Sequence, residues 1–269
     1  MRRTETSVWR LLKLKAHDAF TNMAIDEAIF EARIENLVPN TLRFYRWNPS
    51  VVSIGKFQNV ENEVQMENCK RSGVDVVRRI TGGGTVYHDA EDEITYSVVV
   101  SKKDLGAEDI AIVYAKIYAG LVEALKILGI TADFSQGNAK TCPNLTVNGK
   151  KLSGSAQCHR KGVVLQHGTL LLNVDLEKMF TFLRVPWAET CMEIVNVARG
   201  RITSTKEEMG KDVSARDVNE ALIRGFKKAL KISLSDGELT PYEYRLAEQL
   251  VKEKYGTNNW NLYGRSGHS

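Results

Sequence analysis

The chain has 269 residues, of which 43% are hydrophobic and 26% charged, a composition typical of a globular protein rather than a disordered or fibrous one. The 37 basic and 33 acidic residues leave a net charge of +4. This excess is too small to indicate nucleic-acid binding, and it suits an anionic ligand or an acidic partner protein. No apolar run reaches the ~18 residues of a membrane span, and the polar start of the chain is unlike a signal peptide, so we expect a cytoplasmic protein.

The cysteines and histidines do not indicate a metal site. Cys69, Cys142, Cys158 and Cys191 form no C-x-x-C pair and no zinc spacing, and the histidines form no H-E-x-x-H motif. We therefore predict no protein-bound metal ion.

The chain from Ala24 to Val77 predicts helices alternating with short strands. The first helix, Ala24 to Ala32, is capped by Asn22 or Thr21, and its Asp26 and Glu27 are expected at the helix start or in solvent. The segments that follow are strands at Thr41 to Tyr45 and Val51 to Ile54, a helix from Val60 to Arg71 closed by Gly73, and a strand at Val74 to Val77.

The stretch from Arg78 to Asp89 is the strongest candidate for a binding site. Its three glycines, Gly82, Gly83 and Gly84, allow backbone N–H groups to approach an anion, and the arginines before them suit phosphate or carboxylate. The stretch matches neither a Walker loop nor a Rossmann fingerprint. The structural alternative is a tight hairpin with ordinary surface arginines.

Beyond this stretch we predict a central strand, Ile94 to Val100, a long helix, Ala111 to Leu128, and a polar loop, Phe134 to Asn144, that is a candidate lid. Asn148-Gly149 is a strong hairpin signal. On the return strand, period-2 alternation puts Lys151 and Ser153 on one face and Lys150 and Leu152 on the other. One of the two lysines is therefore expected to face inward as a phosphate clamp, and the alternative is a solvated hairpin lysine.

The strand Val163 to Leu172 carries His167, which the residues alone leave open between a core group and a functional one. Helices are then predicted at Leu176 to Leu183, Ser214 to Leu230 and Tyr242 to Tyr255. Consecutive strand pairs joined by short turns, with helices between them, favour an α+β fold with a mixed, largely antiparallel sheet. We expect one domain over residues 1–269, with a helical C-terminal segment, about 205–262, packed on it.

Two motifs resemble the signatures of the lipoate–protein ligase A family. They are Arg78-Arg79-x-x-Gly-Gly-Gly-x-Val-Tyr-His-Asp and Gly149-Lys-Lys-Leu-Ser-Gly-Ser-Ala156, and the likeness extends over roughly residues 20–261. The resemblance implies the biotin/lipoate ligase catalytic fold, related to class II tRNA-synthetase cores. It also implies the short form of the family, without the C-terminal accessory domain, which works with a separate small subunit.

The resemblance implies a ligase that joins lipoate or octanoate to ATP as an acyl-adenylate and then to a lysine of an acceptor protein. Lys151 would be the catalytic residue, and ATP would be held by Lys151 and by Arg79, Gly82, Gly83, Gly84, Thr85, Val86 and Tyr87. Lipoate would contact Lys151, Gly154, Ala156, His88 and His167. The cofactors are ATP and Mg²⁺. The acceptors would be the lipoyl domains of 2-oxoacid dehydrogenase E2 subunits and the glycine-cleavage H protein; no nucleic acid or membrane partner is expected.

Two departures from that pattern keep other functions open. Pro143-Asn144 stands where the family often has Asn-Asp, and Cys142 lies in the same loop. Octanoyltransferases of this fold use a loop cysteine and take octanoate from acyl carrier protein without ATP, which makes Cys142 an alternative nucleophile. A third interpretation is a non-catalytic binding homologue, which the presence of both Arg79 and Lys151 disfavours.

Overall fold

The computed structural model describes residues 7–137, 143–185, 188 and 190–264. The strands of the described residues are β1 (Val8–His17), β2 (Thr41–Trp47), β3 (Val51–Ile54), β4 (Asp75–Arg78), β5 (Val86–His88), β6 (Glu93–Ser101), β7 (Asp133–Ser135), β8 (Asn144–Val147), β9 (Lys150–Arg160), β10 (Val163–Leu171) and β11 (Ser233–Asp236). The α-helices are α1 (Ala19–Ile34), α2 (Val60–Glu63), α3 (Met66–Arg71), α4 (Lys102–Leu105), α5 (Ile110–Ile127), α6 (Leu176–Phe182), α7 (Cys191–Ala198), α8 (Thr205–Met209), α9 (Ala215–Leu230), α10 (Pro241–Leu250) and α11 (Asn258–Tyr263). A π-helical turn, Val251–Tyr255, follows α10 directly.

The main sheet has eight strands in the order β11-β1-β2-β6-β10-β9-β8-β7. Its β11-β1 and β1-β2 pairs are parallel, and the other pairs are antiparallel. A second sheet, β4-β3-β5, carries the glycine-rich stretch between β4 and β5. The predicted α+β class with a mixed, largely antiparallel sheet is confirmed.

The two faces of the main sheet are covered by different helices. On one face, α5 and α9 pack against β2, β6 and β10, and Phe226 of α9 lies against Gly120 of α5. On the other face, α1 and α10 cover Tyr45, Trp47 and Leu165. A third cluster, which contains Tyr87 and Phe182, lies beneath the second sheet. Burial of these apolar faces stabilises the fold at roughly 25 cal/mol per Å². Among the described residues, no helix is long and apolar enough to cross a membrane.

Helix α1 is longer than predicted. It begins at Ala19, because the Asp18 carboxylate caps it by accepting hydrogen bonds from the backbone N–H groups of Phe20 and Thr21. The predicted caps, Asn22 and Thr21, lie inside the helix. Ala24 and Ala28 are fully buried on it, and the neighbouring Asp26 is buried as well. Glu27 is buried too, so the expectation that Asp26 and Glu27 lie at the helix start or in solvent was wrong.

Several elements depend on contacts that the local sequence does not report. The helix predicted from Val60 to Arg71 is two helices, because Val64 is extended and bridges to Leu183. Strands β1 and β11 were missed, and they pair mainly with each other and with β2 at the edge of the sheet. Part of the predicted loop from Phe134 to Asn144 pairs as β7 with β8, and residues 138–142 of that loop lie outside the described residues.

The Asn-Gly hairpin is confirmed, with φ of +50° at Asn148 and +78° at Gly149, as a type I′ turn requires. The prediction of strict alternation after it was wrong. The register passes from Leu145↔Ser153 to Thr146↔Lys151, so that β9 has one extra residue in a β-bulge. Leu152 and Ser153 are both buried as a result.

Candidate active site

A cavity of about 310 Å³ lies on the face of the main sheet that α1 covers in part. Its floor is a row of residues paired across neighbouring strands: Tyr45 with Thr95, Thr95 with Thr169, Thr169 with Gly154, and Gly154 with Asn144. Five adjacent strands, β2 to β8 in sheet order, contribute to it. The cavity therefore runs across the strands, a length of roughly 19 Å at about 4.8 Å per strand.

The glycine-rich stretch and the hairpin lysine meet at this cavity. Ten of the predicted site residues line it: Arg79, Gly83, Gly84, Thr85, Val86, His88, Lys151, Gly154, Ala156 and His167. Two others, Gly82 and Tyr87, do not. The Tyr87 ring faces away and stacks on Phe182, with ring centroids 5.1 Å apart. The placement agrees with the geometry expected for a shared site, and the individual roles of these residues stay predictions.

Lys151 and Gly154 share the cavity face because of the bulge in β9. In a regular strand, residues three apart point to opposite faces. The backbone of Lys151 is held from outside the sheet, since its N–H donates to the Arg201 carbonyl at 2.7 Å and its carbonyl accepts from Thr203 at 3.0 Å. The neighbouring Lys150 points elsewhere and forms an ion pair with Glu207 at 2.8 Å. Lys151 therefore lines the cavity at its exposed rim and Lys150 does not line it, and the predicted role of Lys151 as an inward phosphate clamp stays a prediction.

Arg79 braces the glycine-rich stretch from inside. Its Nη2 donates to the carbonyls of Gly82 at 3.0 Å and Gly84 at 2.8 Å, and its Nη1 donates to Ser53 Oγ at 2.6 Å. Gly83 between them has a φ of +84°, a conformation that favours glycine. Arg79 as a whole is 6% exposed, and it lines the cavity. It thus supplies a positive charge and fixes the loop at the same time.

Arg78 was expected to help bind an anion, and this was wrong. It is buried, and five backbone carbonyls accept hydrogen bonds from its guanidinium: Gly55, Lys56, Gln58, Trp260 and Leu262. The contacts join the loop after β3 to helix α11. Arg78 therefore holds two segments together and does not line the cavity.

His167 is held by two partners on the cavity wall. Its Nδ1 lies 3.0 Å from Asp26 Oδ2, and its Nε2 lies 2.8 Å from Thr81 Oγ1. Burial lowers the pKa of His167 and outweighs the opposite effect of Asp26, so the imidazole is neutral near pH 7. Burial by itself would raise the pKa of Asp26, but the charge of Arg43 and the hydrogen bonds of His167 and Arg43 hold it below its ordinary value. Arg43 Nη1 donates to Asp26 Oδ1 at 2.6 Å.

His88 closes the end of the cavity near β2. Its Nε2 lies 2.7 Å from Ser53 Oγ, and its Nδ1 lies 2.8 Å from Glu93 Oε1. The ring stacks on Trp47 at a centroid distance of 4.4 Å, and the Trp47 indole N–H also donates to Glu93. Ser53 Oγ also accepts a hydrogen bond from Arg79, so that His88 lies in a line of contacts from Arg79 through Ser53 to Glu93. Both imidazole nitrogens and the indole N–H at this end have partners, whereas among the described residues Glu93 Oε2 is buried without one.

A chain of hydroxyl groups supports the opposite end, near β8. Gln166 Nε2 donates to Ser155 Oγ at 3.3 Å, Ser155 donates to Tyr118 at 2.9 Å, and Tyr118 donates to the Pro143 carbonyl at 3.1 Å. Pro143 precedes Asn144, which lines the cavity. Tyr118 of α5 therefore fixes the start of β8.

Comparison with known proteins decides the family. The sequence pattern of the "Lipoyl protein ligase A/B catalytic domain" matches residues 18–227. The chain belongs to this family.

Full-length relatives and solved structures carry two different names. The chain is 37% identical over 271 residues to "Octanoyltransferase LipM" of Symbiobacterium thermophilum, covering 94% of this chain and 98% of the relative. It is 40% identical over 271 residues to "Octanoyltransferase LipM" of Kyrpidia tusciae, with the same coverage. Among solved structures, the bi-partite lipoate protein ligase of Thermoplasma acidophilum has a TM-score of 0.85 and 32% identity, covering 98% of this chain and 99% of that one. A lipoate-protein ligase A bound with ATP has a TM-score of 0.82 and 33% identity, covering 94% and 98%.

For this lipoyl ligase/transferase family member, the described cysteines lie away from the cavity. Cys69 is buried in the cluster beneath the second sheet. Cys158 is partly buried beside the cluster that contains Tyr45, Trp47 and Leu165, and Cys191 is exposed. None of these three lines the cavity. Cys142, the alternative nucleophile, lies outside the described residues. Within the described part of the chain, no group of three or more His, Cys, Asp or Glu side chains is placed to hold a metal ion.

Proposed function

We propose that this chain transfers an octanoyl group from an acyl thioester to a lysine of a lipoyl domain. The observation that carries the proposal is the cavity itself, which has an apolar end at Met23, Tyr45 and Trp47 and an ammonium group, Lys151, at the other. A medium-chain acyl group has the same polarity, with an apolar chain and a polar carbonyl. The full-length relatives named octanoyltransferase support this donor.

The reaction breaks the C–S bond of the donor and forms a C–N bond to the acceptor lysine, which loses a proton as the donor thiol leaves. Negative charge develops on the carbonyl oxygen in the transition state. Lys151 is the group that would stabilise it, because its side chain folds over Gly154 at the polar end of the cavity. The N–H groups near Gly83 and Gly84 are further candidates. The role of Cys142 as the first acyl acceptor is a hypothesis from the sequence.

ATP-dependent ligation of lipoate or octanoate is the second candidate. It is favoured by the glycine-rich stretch with Arg79 in the same cavity as Lys151, and by the likeness to a ligase bound with ATP. The fit is one of charge: Arg79 and Lys151 are cations suited to phosphate, and ATP would supply the leaving pyrophosphate when bound. The described residues offer no carboxylate cage, so Mg²⁺ would be held mainly by the nucleotide.

A comparison of donors tests the proposal. The purified chain is incubated with a lipoyl domain of a 2-oxoacid dehydrogenase E2 subunit or with a glycine-cleavage H protein, and the acceptor mass is measured. We expect octanoylation with octanoyl-acyl carrier protein in the absence of ATP. Modification only with free octanoate or lipoate plus ATP and Mg²⁺, together with ATP–pyrophosphate exchange with or without a small accessory subunit, would instead establish the ligase.

A further inference from the structure

A second cavity, with a volume of about 410 Å³, lies between β1, α1 and the segment from Glu238 to Val251. It is larger than the first cavity and falls within the usual size range of ligand sites. Helix α1 stands between the two, since Met23 lines the first cavity and Thr21 and Ile25 line the second. Neither Lys151 nor any residue of the glycine-rich stretch lines this second cavity.

The lining of the second cavity is amphipathic. Its apolar part consists of Leu12, Ile25, Leu239, Ala247 and Val251. Its charged part includes two lysines on β1, Lys13 and Lys15, and the guanidinium of Arg43. The carboxylates in the lining are Glu238 and Glu248. An apolar chain with one charged head matches such a surface better than a fully polar or a fully apolar ligand does.

The cations at the opening are held by exposed carboxylates. Lys15 Nζ lies 2.8 Å from Glu238 Oε2, and the two side chains are 54% and 69% exposed. Lys13 pairs with Asp236 at 2.6 Å, where both side chains are more than half exposed. Exposed pairs of this kind are weak, because water and salt screen both charges. The carboxylate of a ligand could therefore replace Glu238 on Lys15 at little cost.

The buried carboxylate of Asp26 connects the linings of the two cavities. Arg43 lines the second cavity and donates to Asp26 Oδ1 at 2.6 Å. The other oxygen of Asp26 contacts His167 Nδ1 and the Tyr45 hydroxyl, each at 3.0 Å, and both of these residues line the first cavity. A π-helical turn, an irregularity that is frequent at functional sites, begins at Val251 on the far wall.

We propose that the second cavity binds a medium-chain carboxylate. The chain lies on Leu12, Ile25 and Ala247, and the carboxylate pairs with Lys15 in place of Glu238. Occupancy is sensed in the first cavity through Arg43, Asp26 and His167. The proposal does not depend on which acyl donor the enzyme uses.

Titration of the full chain with [1-¹³C]octanoate, followed by NMR, tests the site. Octanoate is expected to give two bound signals, one from each cavity. Ala247→Trp fills the second cavity and should remove the signal of octanoate bound there. Gly154→Val obstructs the first cavity and should leave the signal from the second cavity in place. Ligand binding to Gly154→Val should also shift the imidazole resonances of His167.

Two surface variants test the charge requirement without altering the interior. Lys15→Met keeps the alkyl stem and should weaken octanoate binding in the second cavity by about 2- to 5-fold, the usual effect of losing one exposed ion pair. Glu238→Gln releases Lys15 from its ion pair and should strengthen octanoate binding in the second cavity. The proposal is overturned if a folded Ala247→Trp variant retains both signals, or if neither charge variant changes the affinity.

Discussion

The side chain of Lys151 folds back over Gly154, so that a β-carbon at position 154 would lie 2.8 Å from both Cε and Nζ of the lysine. Real side chains do not approach so closely, and the ammonium would have to move. We expect Gly154→Ala to lower acyl transfer by about 10- to 100-fold, because a displacement of about 1 Å at a reacting group has effects of that size. The measurement is kcat/KM by acceptor mass.

The matched control for that variant is Gly200→Ala. The nearest atom to a β-carbon at position 200 is the Val197 carbonyl oxygen at 3.8 Å, an ordinary contact. This variant should retain wild-type transfer, and both should unfold at nearly the wild-type temperature. Equal activity of Gly154→Ala and the wild type would contradict the placement of Lys151 in the reaction.

The two lysines of the hairpin make a natural pair for comparison. Lys151 lines the cavity, whereas Lys150 pairs with Glu207 on the surface. Lys151→Ala should lower kcat by at least about 100-fold, the usual cost of removing one donor to a developing oxyanion. Lys150→Ala should stay within about 2-fold of wild type, since an exposed ion pair contributes little. Circular dichroism should be native for both, and comparable losses in the two variants would exclude a specific role for Lys151.

Adjacent arginines should respond differently to the same substitution. Arg78→Lys loses most of five hydrogen bonds to buried carbonyls, so we expect the free energy of unfolding to fall by about 2 kcal/mol or more. Arg79→Lys loses bonds to only two carbonyls, both in the glycine-rich stretch, so we expect a smaller loss of stability and a larger loss of activity. Denaturant unfolding and transfer assays separate the two effects. An Arg78→Lys variant as stable as wild type would show that these contacts are dispensable.

The parts of the site that the sequence predicted are those with strong local signals. The three glycines and the Asn148-Gly149 turn require positive φ or close approach, and few other residues allow either. The bulge at Leu152 has no such signal. It is set by pairing with β8 and by the contacts of Lys151 to Arg201 and Thr203, which are distant in sequence. Alternation alone therefore placed Ser153 on the same face of β9 as Lys151, whereas in the structure only Lys151 lines the cavity.

The residues that the sequence did not identify are distant in the chain and are brought to the site by the fold. Ser53, Trp47 and Thr95 reach the cavity because β2, β3 and β6 lie side by side or face to face there. Asp26 had one overlooked signal. Ala24, Ile25, Ala28 and Ile29 form one apolar stripe, but Met23 and Phe30 lie on the opposite side of the helix, so α1 is apolar on two sides and is buried nearly all round. An acidic residue on such a helix requires a buried cationic partner, here Arg43.

The hypothesis that Cys142 is the first acyl acceptor can be tested by substitution and by mass spectrometry. If octanoyl transfer proceeds through a thioester, Cys142→Ser should abolish transfer from octanoyl-acyl carrier protein, and mass spectrometry of the wild type should detect an octanoyl adduct at that cysteine. Cys191→Ser is the control, because Cys191 is exposed and does not line the cavity. Undiminished transfer by Cys142→Ser would remove the covalent intermediate and favour direct attack by the acceptor lysine or the ATP-dependent route.

The last prediction concerns pH and the buried histidine. Burial lowers the pKa of His167 below its ordinary value of 6.5. The unfolded chain therefore binds a proton at a higher pH than the folded chain does. The resulting contribution to stability is complete above pH 6.5 and declines as the pH falls from there towards the folded pKa, with a slope of at most about 1.4 kcal/mol per pH unit. His167→Gln removes this contribution, so its stability should fall less steeply in this range.

The measurement is the free energy of unfolding by urea between about pH 7.5 and about pH 5, compared between variants. Burial also lowers the pKa of His159, but that side chain is only partly buried, so His159→Gln should follow the wild-type curve more closely. Parallel curves for wild type and His167→Gln would mean that His167 is protonated equally in both states. In that case the folded pKa of His167 would equal its ordinary value of 6.5, and burial would not be what sets the charge of the imidazole beside Asp26.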